Sequence, residues 1–239
     1  MTGTLINVGT VLAGTVVGTL LGGRLPERVR ETVLHALGLV TVLVGVGQGL
    51  AAFRPPLTEV IGDGSVLVVM GSVLVGGVVG ELAGIERGLD RLGEALKARF
   101  GRGQARFTEG FVVASLVFCV GPLTILGSIQ DGLTGDYQLL AVKSMLDGFA
   151  ALAFASALGW GVGFSVLVIL IYQGGLTLGA SAFAGVFSDA MIAAMSATGG
   201  ILILGIALRL LDLRRVRVAN LLPALVIAPA AVAMLERVA

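Results

Sequence analysis

Long apolar runs, separated by short polar or glycine-rich stretches, dominate the chain. Eight of them reach or approach the roughly 20 residues that a helix needs to cross a hydrocarbon core. They are Gly3–Gly23, Val33–Phe53, Gly64–Gly84, Phe107–Leu126, Ser144–Trp160, Gly161–Ala184, Met191–Leu211 and Asn220–Leu235. The last is short, and the fifth and sixth are joined with almost no loop. The runs are continuously apolar and much longer than the ~10 residues of a barrel strand, which excludes transmembrane β-strands. In lipid, only bonds within the segment can satisfy the backbone of such a run, so helices are expected. The pattern predicts an all-α fold, a polytopic transmembrane helix bundle of about eight spans forming one integral membrane domain over residues 1–239.

Composition sharpens this picture. Of 239 residues, 56% are hydrophobic, 13% are charged and 37 are glycine. A disordered chain, a disulfide scaffold, a coiled coil and an ordinary soluble enzyme are all excluded, because too little polar surface exists to wet a globule. The formal charge of +1 gives no basic excess to attract nucleic acid. Cys119 is the only cysteine and His35 the only histidine, which removes internal disulfides and multi-histidine metal sites. The N-terminus lacks the positive region of a secretory signal, so the first apolar run is expected to remain as a membrane helix.

Basic residues set an expected orientation. Arg24, Arg28 and Arg30 lie between runs one and two. Arg87, Arg91, Lys97, Arg99, Arg102 and Arg106 lie between three and four, and Arg209, Arg214, Arg215 and Arg217 between seven and eight. With eight spans all three clusters fall on one side, against Arg54, Lys143 and Arg237 on the other. The positive-inside rule then puts both termini outside the cytoplasm of a cell inner (plasma) membrane. The linker 85–106 carries Ile85, Leu89, Leu92 and Leu96 at helical spacing, which predicts an amphipathic helix at the cytoplasmic interface.

Internal repeats bear on architecture. The stretch from Gly9 to Gly18 matches that from Gly71 to Gly80, and each run has a stripe of glycines four apart: Gly14, Gly18, Gly22 and Gly76, Gly80, Gly84. Such stripes let backbones approach closely, within the chain or in a homodimer or higher homo-oligomer. Gly121–Gly127 aligns with Gly199–Gly205, and Ser65–Val68 with Ser165–Val168. The block 161–239 thus reads as the block 64–160 with its linker deleted, and 1–63 as a partial extra copy. A three-helix unit reverses direction in the membrane, so inverted-topology repeats are expected, an arrangement found in secondary transporters and some channels.

Helix breakers at matching positions of inverted halves point to a binding site. Gly121-Pro122 and Gly199-Gly200 form such a pair. Proline frees a carbonyl one turn earlier and a glycine pair permits unwinding; a simple kink with close packing is the other reading. Polar residues cluster nearby. Gln130 and Asp131 follow run four, and Lys143 and Asp147, four apart, share one helix face. At membrane depth such charges are functional, whereas at the outer interface they are wetted helix ends. Asn7, Gln48 and Gln173 sit inside apolar runs, where an amide either coordinates a solute or clips two helices. Glu81 lies in the second glycine stripe, and Asp189 and Asn220 near helix starts, where capping accounts for them. Phosphate loops, zinc-protease motifs and hydrolase triads are absent, so neither an enzyme nor a cofactor is expected.

The runs Phe118–Gly132, Lys143–Gly148, Gln173–Leu178 and Asn220–Leu225 resemble a bacterial membrane family catalogued as domain of unknown function 554. The resemblance covers nearly the whole chain. It implies a multi-spanning inner-membrane protein of a prokaryote and supplies no substrate and no site residues.

These readings converge on a transporter or channel for a small polar solute or inorganic ion, with a cation or zwitterion favoured. The expected path lies between runs four, five and seven. Asp131 and Asp147 would supply negative charge, Lys143 would balance one of them, Gln130 and Gln173 would orient the ligand, and Gly121, Pro122, Gly199 and Gly200 would shape the breaks. The alternative is a non-transporting scaffold that docks a cytosolic partner through the amphipathic linker.

Overall fold

A computed structural model describes residues 1–101, 104–183 and 185–237. Arg102, counted in the second basic cluster, and Ala184, the end of the sixth run, lie outside the described residues. Twelve α-helices are formed and no strand occurs among the described residues. They are α1 (Thr2–Gly22), α2 (Glu27–Gly49), α3 (Leu57–Ile61), α4 (Ser65–Ala83), α5 (Ile85–Phe100), α6 (Phe107–Cys119), α7 (Pro122–Thr134), α8 (Gln138–Leu158), α9 (Ser165–Leu178), α10 (Ala180–Phe183), α11 (Asp189–Leu210) and α12 (Ala224–Glu236).

Six helical runs are long and apolar enough to cross a membrane, or seven when the bent pair α6–α7 counts as one. One of the six, Glu27–Ala83, is 57 residues long and takes in α2, α3 and α4. At about 1.5 Å per residue a straight helix of that length would measure roughly 85 Å, nearly three hydrocarbon thicknesses. Its two long helices, with 23 and 19 residues, each suffice for one crossing. The fifth and sixth apolar runs are separate helices. Gly159, at φ 80°, ends α8 and turns the chain into a 3-10 stretch, Trp160–Phe164, ahead of α9.

The chain divides into two compact units, Met1–Leu37 with Leu89–Ala184 and Gly38–Gly88 with Gly185–Ala239. They cut across the sequence blocks 1–63, 64–160 and 161–239.

In the first unit α1 lies along α8. A Cβ on Gly14, Gly18 or Gly22 would collide with the carbonyl oxygens of Gly148, Leu152 and Ser156 in turn. The contacts advance together along both helices, so α1 and α8 run parallel. Apolar packing is densest in α6, where Phe107, Phe111, Val112 and Ala114 are fully buried. Phe118 packs on Phe154 of α8, with ring centroids 6.4 Å apart. The amphipathic α5 turns Gly93 onto Thr108 and Phe111 of α6, so its own chain already covers part of its apolar side.

In the second unit the glycine stripe of α4 faces the turn Val218–Leu221 and the start of α12. A Cβ on Gly80 would strike the Asn220 carbonyl, and one on Gly76 would strike the Ala224 backbone. Here contact advances along α4 as it retreats along the partner, so α4 and α12 run antiparallel. Asn220 does not cap its own helix. Its Oδ1 accepts from the Glu86 amide at 2.8 Å, and its Nδ2 donates to Glu81 at 2.6 Å. Glu81 also pairs with Arg217, and Glu86 accepts from the Ala219 amide at 2.8 Å. At the start of α11 the capping side chain is Ser188, which accepts from the Met191 amide, while Asp189 sits in the first turn.

The expected break at Gly199-Gly200 does not form. The helix α11 runs unbroken from Asp189 to Leu210. Unlike proline, glycine keeps its N–H, so a pair of glycines can stay in the hydrogen-bond ladder. Gly200 serves close approach instead, since a Cβ there would meet the backbone of Gly45 and Gly49 in α2. Both glycine stripes are thus occupied within the chain.

Candidate functional site

Position 122 is where the sequence forces the backbone open. In a continuous helix its amide would donate to the carbonyl of residue 118, and proline has no amide hydrogen to give. The helix α6 stops at Cys119, Gly121 is fully extended at φ −174°, and α7 starts at Pro122 with its axis turned by 63°. The stranded Phe118 carbonyl is not left bare. Lys143 Nζ donates to it at 2.7 Å, and Thr124 Oγ1 at 3.3 Å.

Lys143 belongs to α8, which begins at Gln138, six residues before the apolar run suggested. The polar Gln138 and Lys143 depress hydropathy locally but do not interrupt the helix. Asp147 lies nine residues along α8 from Gln138, about 14 Å of a helix roughly 31 Å long. Lys143 lies five residues along, about 7 Å from the start of the helix. Lys143 is 6% exposed and Asp147 8%, and Nζ sits 2.6 Å from the Asp147 carboxylate.

Two further helices complete the cluster. Gln173 of α9 is fully buried and its Oε1 accepts twice, from Asn7 Nδ2 at 2.9 Å and from Lys143 Nζ at 3.3 Å. With its oxygen so engaged, its Nε2 donates to Thr4 Oγ1 at 3.2 Å. Thr4 in turn lies 3.4 Å from Thr177 Oγ1. The Lys143 ammonium thus rests in a cradle of three oxygens, from a carboxylate, a freed backbone carbonyl and an amide. Asn7 Oδ1, buried in the same cluster, has no protein partner among the described residues. An unpaired buried acceptor is costly and calls for an explanation.

Not every expected residue joins. Asp131, 4% exposed, accepts from the Gly3 amide at 3.1 Å and pairs with the Met1 amino group at 3.0 Å, one turn from Thr4. Gln130 turns away, its Nε2 donating to Asp136 at 2.7 Å. Gly121 and Pro122 form the break, whereas Gly199 and Gly200 lie in the second unit, in an unbroken helix. The helices that supply polar groups beside α6–α7 and α8 are α1 and α9. Thr4, Thr177 and the Phe118 carbonyl carried no signal beyond a polar atom in an apolar run. Among the described residues no group of three metal-ligating side chains is assembled.

The chain matches, over residues 2–233, the family described as Protein of unknown function (DUF554), and it belongs to that family. It is 28% identical to the Uncharacterized membrane protein YdfK of Bacillus subtilis (strain 168), over 96% of this chain and 94% of the relative. It is 31% identical to the Uncharacterized protein YqgA of Escherichia coli (strain K12), over 95% and 94% of the two chains. No solved structure matches significantly. These relatives and the apolar helices put the chain among membrane proteins.

Proposed function

We propose that this member of the DUF554 family moves a small polar solute or inorganic ion across the inner membrane through the cluster around Lys143. One observation carries the reading: a helix broken in mid-course exposes a backbone carbonyl to a buried ion pair. Breaks of this kind hold ligands in transporters, because half-helix ends and freed carbonyls replace the hydration of a solute. Intramembrane charges are costly and are kept where function needs them.

The cradle around Lys143 Nζ has the chemistry of a cation site, made of one carboxylate and two neutral oxygens. In this state the protein's own ammonium fills it. Charge balance favours a zwitterion as cargo. Its ammonium takes the oxygens of Asp147 and Phe118 while its anionic end takes Lys143, so one buried ion pair becomes two. Asn7 Oδ1 offers one more acceptor. A bare metal cation has to displace the Lys143 ammonium from these oxygens.

Helix directions agree with eight crossings, an even number that leaves both termini on one side, and the basic clusters favour the non-cytoplasmic side for them. If α1, α2, α4 and the α6–α7 pair each cross once, α8 is the fifth crossing and must run parallel to α1, as the glycine contacts have it. Counting Glu27–Ala83 as one span, or α6–α7 as a re-entrant loop, would make the two antiparallel. In the second unit α4 and α12, as crossings three and eight, must oppose each other, and they do. Inverted repeats remain the evolutionary reading of the matched segments, with the second copy retaining an intact helix where the first is broken.

The test is uptake into liposomes of purified protein, with sodium, rubidium and glycine as probes. Saturable uptake of one probe, lost in Asp147→Asn protein that remains folded in the same liposomes, supports the proposal. An absence of uptake for all three, or uptake indifferent to Asp147→Asn, overturns it.

A further inference from the structure

The first unit contains a second polar feature that the transport reading does not use. A cavity of about 340 Å³ opens where α1 and α8 end and α2 begins. Among its lining residues are Thr19 and Glu27, together with Arg30, Gln104, Arg106 and Ser156. Three of the buried side-chain atoms on these residues have no protein partner: Thr19 Oγ1, Arg30 Nε and Arg106 Nη1. Each can donate a hydrogen bond, and two belong to guanidinium groups that remain charged at any physiological pH.

The neighbouring groups do not satisfy these donors. Arg30 spends Nη2 on the Ala157 carbonyl at 3.0 Å and Nη1 on Glu27 at 3.3 Å, leaving Nε. Ser156 donates to Ala153 at 2.8 Å. Gln104 Oε1 is taken by the Trp160 amide at 3.0 Å, so only the NH2 end of that amide is spare. Glu27 is the one acid on the lining, against Arg30 and Arg106. Net positive charge and donors in excess describe a receptor for an oxyanion.

We propose that this cavity binds a phosphate group. The donors come from three separate elements, α1, α2 and the chain leading into α6. A phosphate monoester or inorganic phosphate presents three strong acceptor oxygens, whereas a carboxylate presents two. Arginine suits planar, multi-donor recognition of phosphate better than lysine does. The volume lies at the lower end of the range for small-molecule sites, enough for a phosphate with a short organic group. A soluble phosphate offers all three of these oxygens, and the phosphodiester of an anionic lipid headgroup offers a phosphate with two unbridged oxygens and a single negative charge.

Calorimetry on the detergent-solubilised full chain tests this, with inorganic phosphate as titrant and acetate as comparator. Vesicles of phosphatidylglycerol and of phosphatidylcholine, with the protein's thermal midpoint as readout, form the lipid arm. Saturable phosphate binding, weakened about tenfold or more in Arg106→Gln, is expected for a soluble ligand. Stabilisation by phosphatidylglycerol alone, absent in Arg106→Gln and competed by neither phosphate nor acetate, identifies a lipid headgroup. Should Arg106→Gln fail to fold, Thr19→Val removes a different donor with little change of shape. Neither phosphate nor phosphatidylglycerol binding, equal binding of acetate, or binding unchanged in folded variants overturns the proposal.

Discussion

Lys143 Nζ lies 2.7 Å from the backbone carbonyl of Phe118, the oxygen that Pro122 cannot reach with a hydrogen bond. A proline and a lysine 21 positions further on thus complete one device. The proline opens an acceptor inside an apolar bundle, and the lysine closes it with a charge tied to Asp147.

Removing either charge should unsettle the first unit. Asp147→Asn leaves the Lys143 ammonium with neutral acceptors only, and a stranded buried charge typically costs about 3–5 kcal/mol. We expect a marked drop in the thermal midpoint in detergent. An unchanged midpoint would mean that water, rather than Asp147, stabilises Lys143.

Pro122→Ala restores an N–H that can donate to Phe118. The break should then straighten and the restored bond should compete with Lys143. The expected result is unchanged or raised thermal stability with uptake reduced about tenfold or more. Full uptake in this variant would show that transport does not need the break.

The glycine stripe of α1 provides a graded control. A side chain at Gly18 meets the Leu152 backbone, whereas one at Gly9 meets nothing within 4 Å. Gly18→Leu should part α1 from α8, and overpacking of this kind typically costs at least about 1–3 kcal/mol. Gly9→Ala should be neutral or raise stability by roughly 0.5–1 kcal/mol through helix propensity. Thermal unfolding of the two variants side by side checks both.

In the second unit Asn220 ties the amide of Glu86 and the carboxylate of Glu81 to one side chain. Asn220→Leu removes both bonds at once, for an expected loss of about 1–3 kcal/mol. Loss of stability with uptake per folded molecule preserved would mark this as a structural latch. Loss of uptake in molecules that remain folded would give the latch a part in transport.

Much of this was legible in the sequence, for reasons that differ by residue. Apolar run length fixes helices in lipid almost by itself, and Pro122 breaks a helix through its own covalent structure. The glycine pair was misleading because Gly199 and Gly200 lose nothing from the ladder and can be held helical by packing, as Gly200 is against α2. The burial of Lys143 and Asp147 was not legible, since it depends on α8 beginning at Gln138, ahead of the long apolar stretch, and on the helices that pack around it. Thr4 and Asn7 meet Gln173 across 169 and 166 positions of sequence only once α1 and α9 are packed. Arg30 and Arg106 read as orientation signals, and only their shared cavity gives them another role.

The most direct measurement is uptake by the double variant Lys143→Met, Asp147→Leu, taken with its thermal midpoint. Replacing a buried ion pair by apolar groups of similar size is often neutral or stabilising, and the Phe118 carbonyl and Gln173 Oε1 keep Thr124 and Asn7 as donors, so the protein should still fold. If Lys143 and Asp147 handle the solute, that folded protein transports none of the probes that the parent transports. Uptake at the parent's rate by a well-folded double variant would contradict the account.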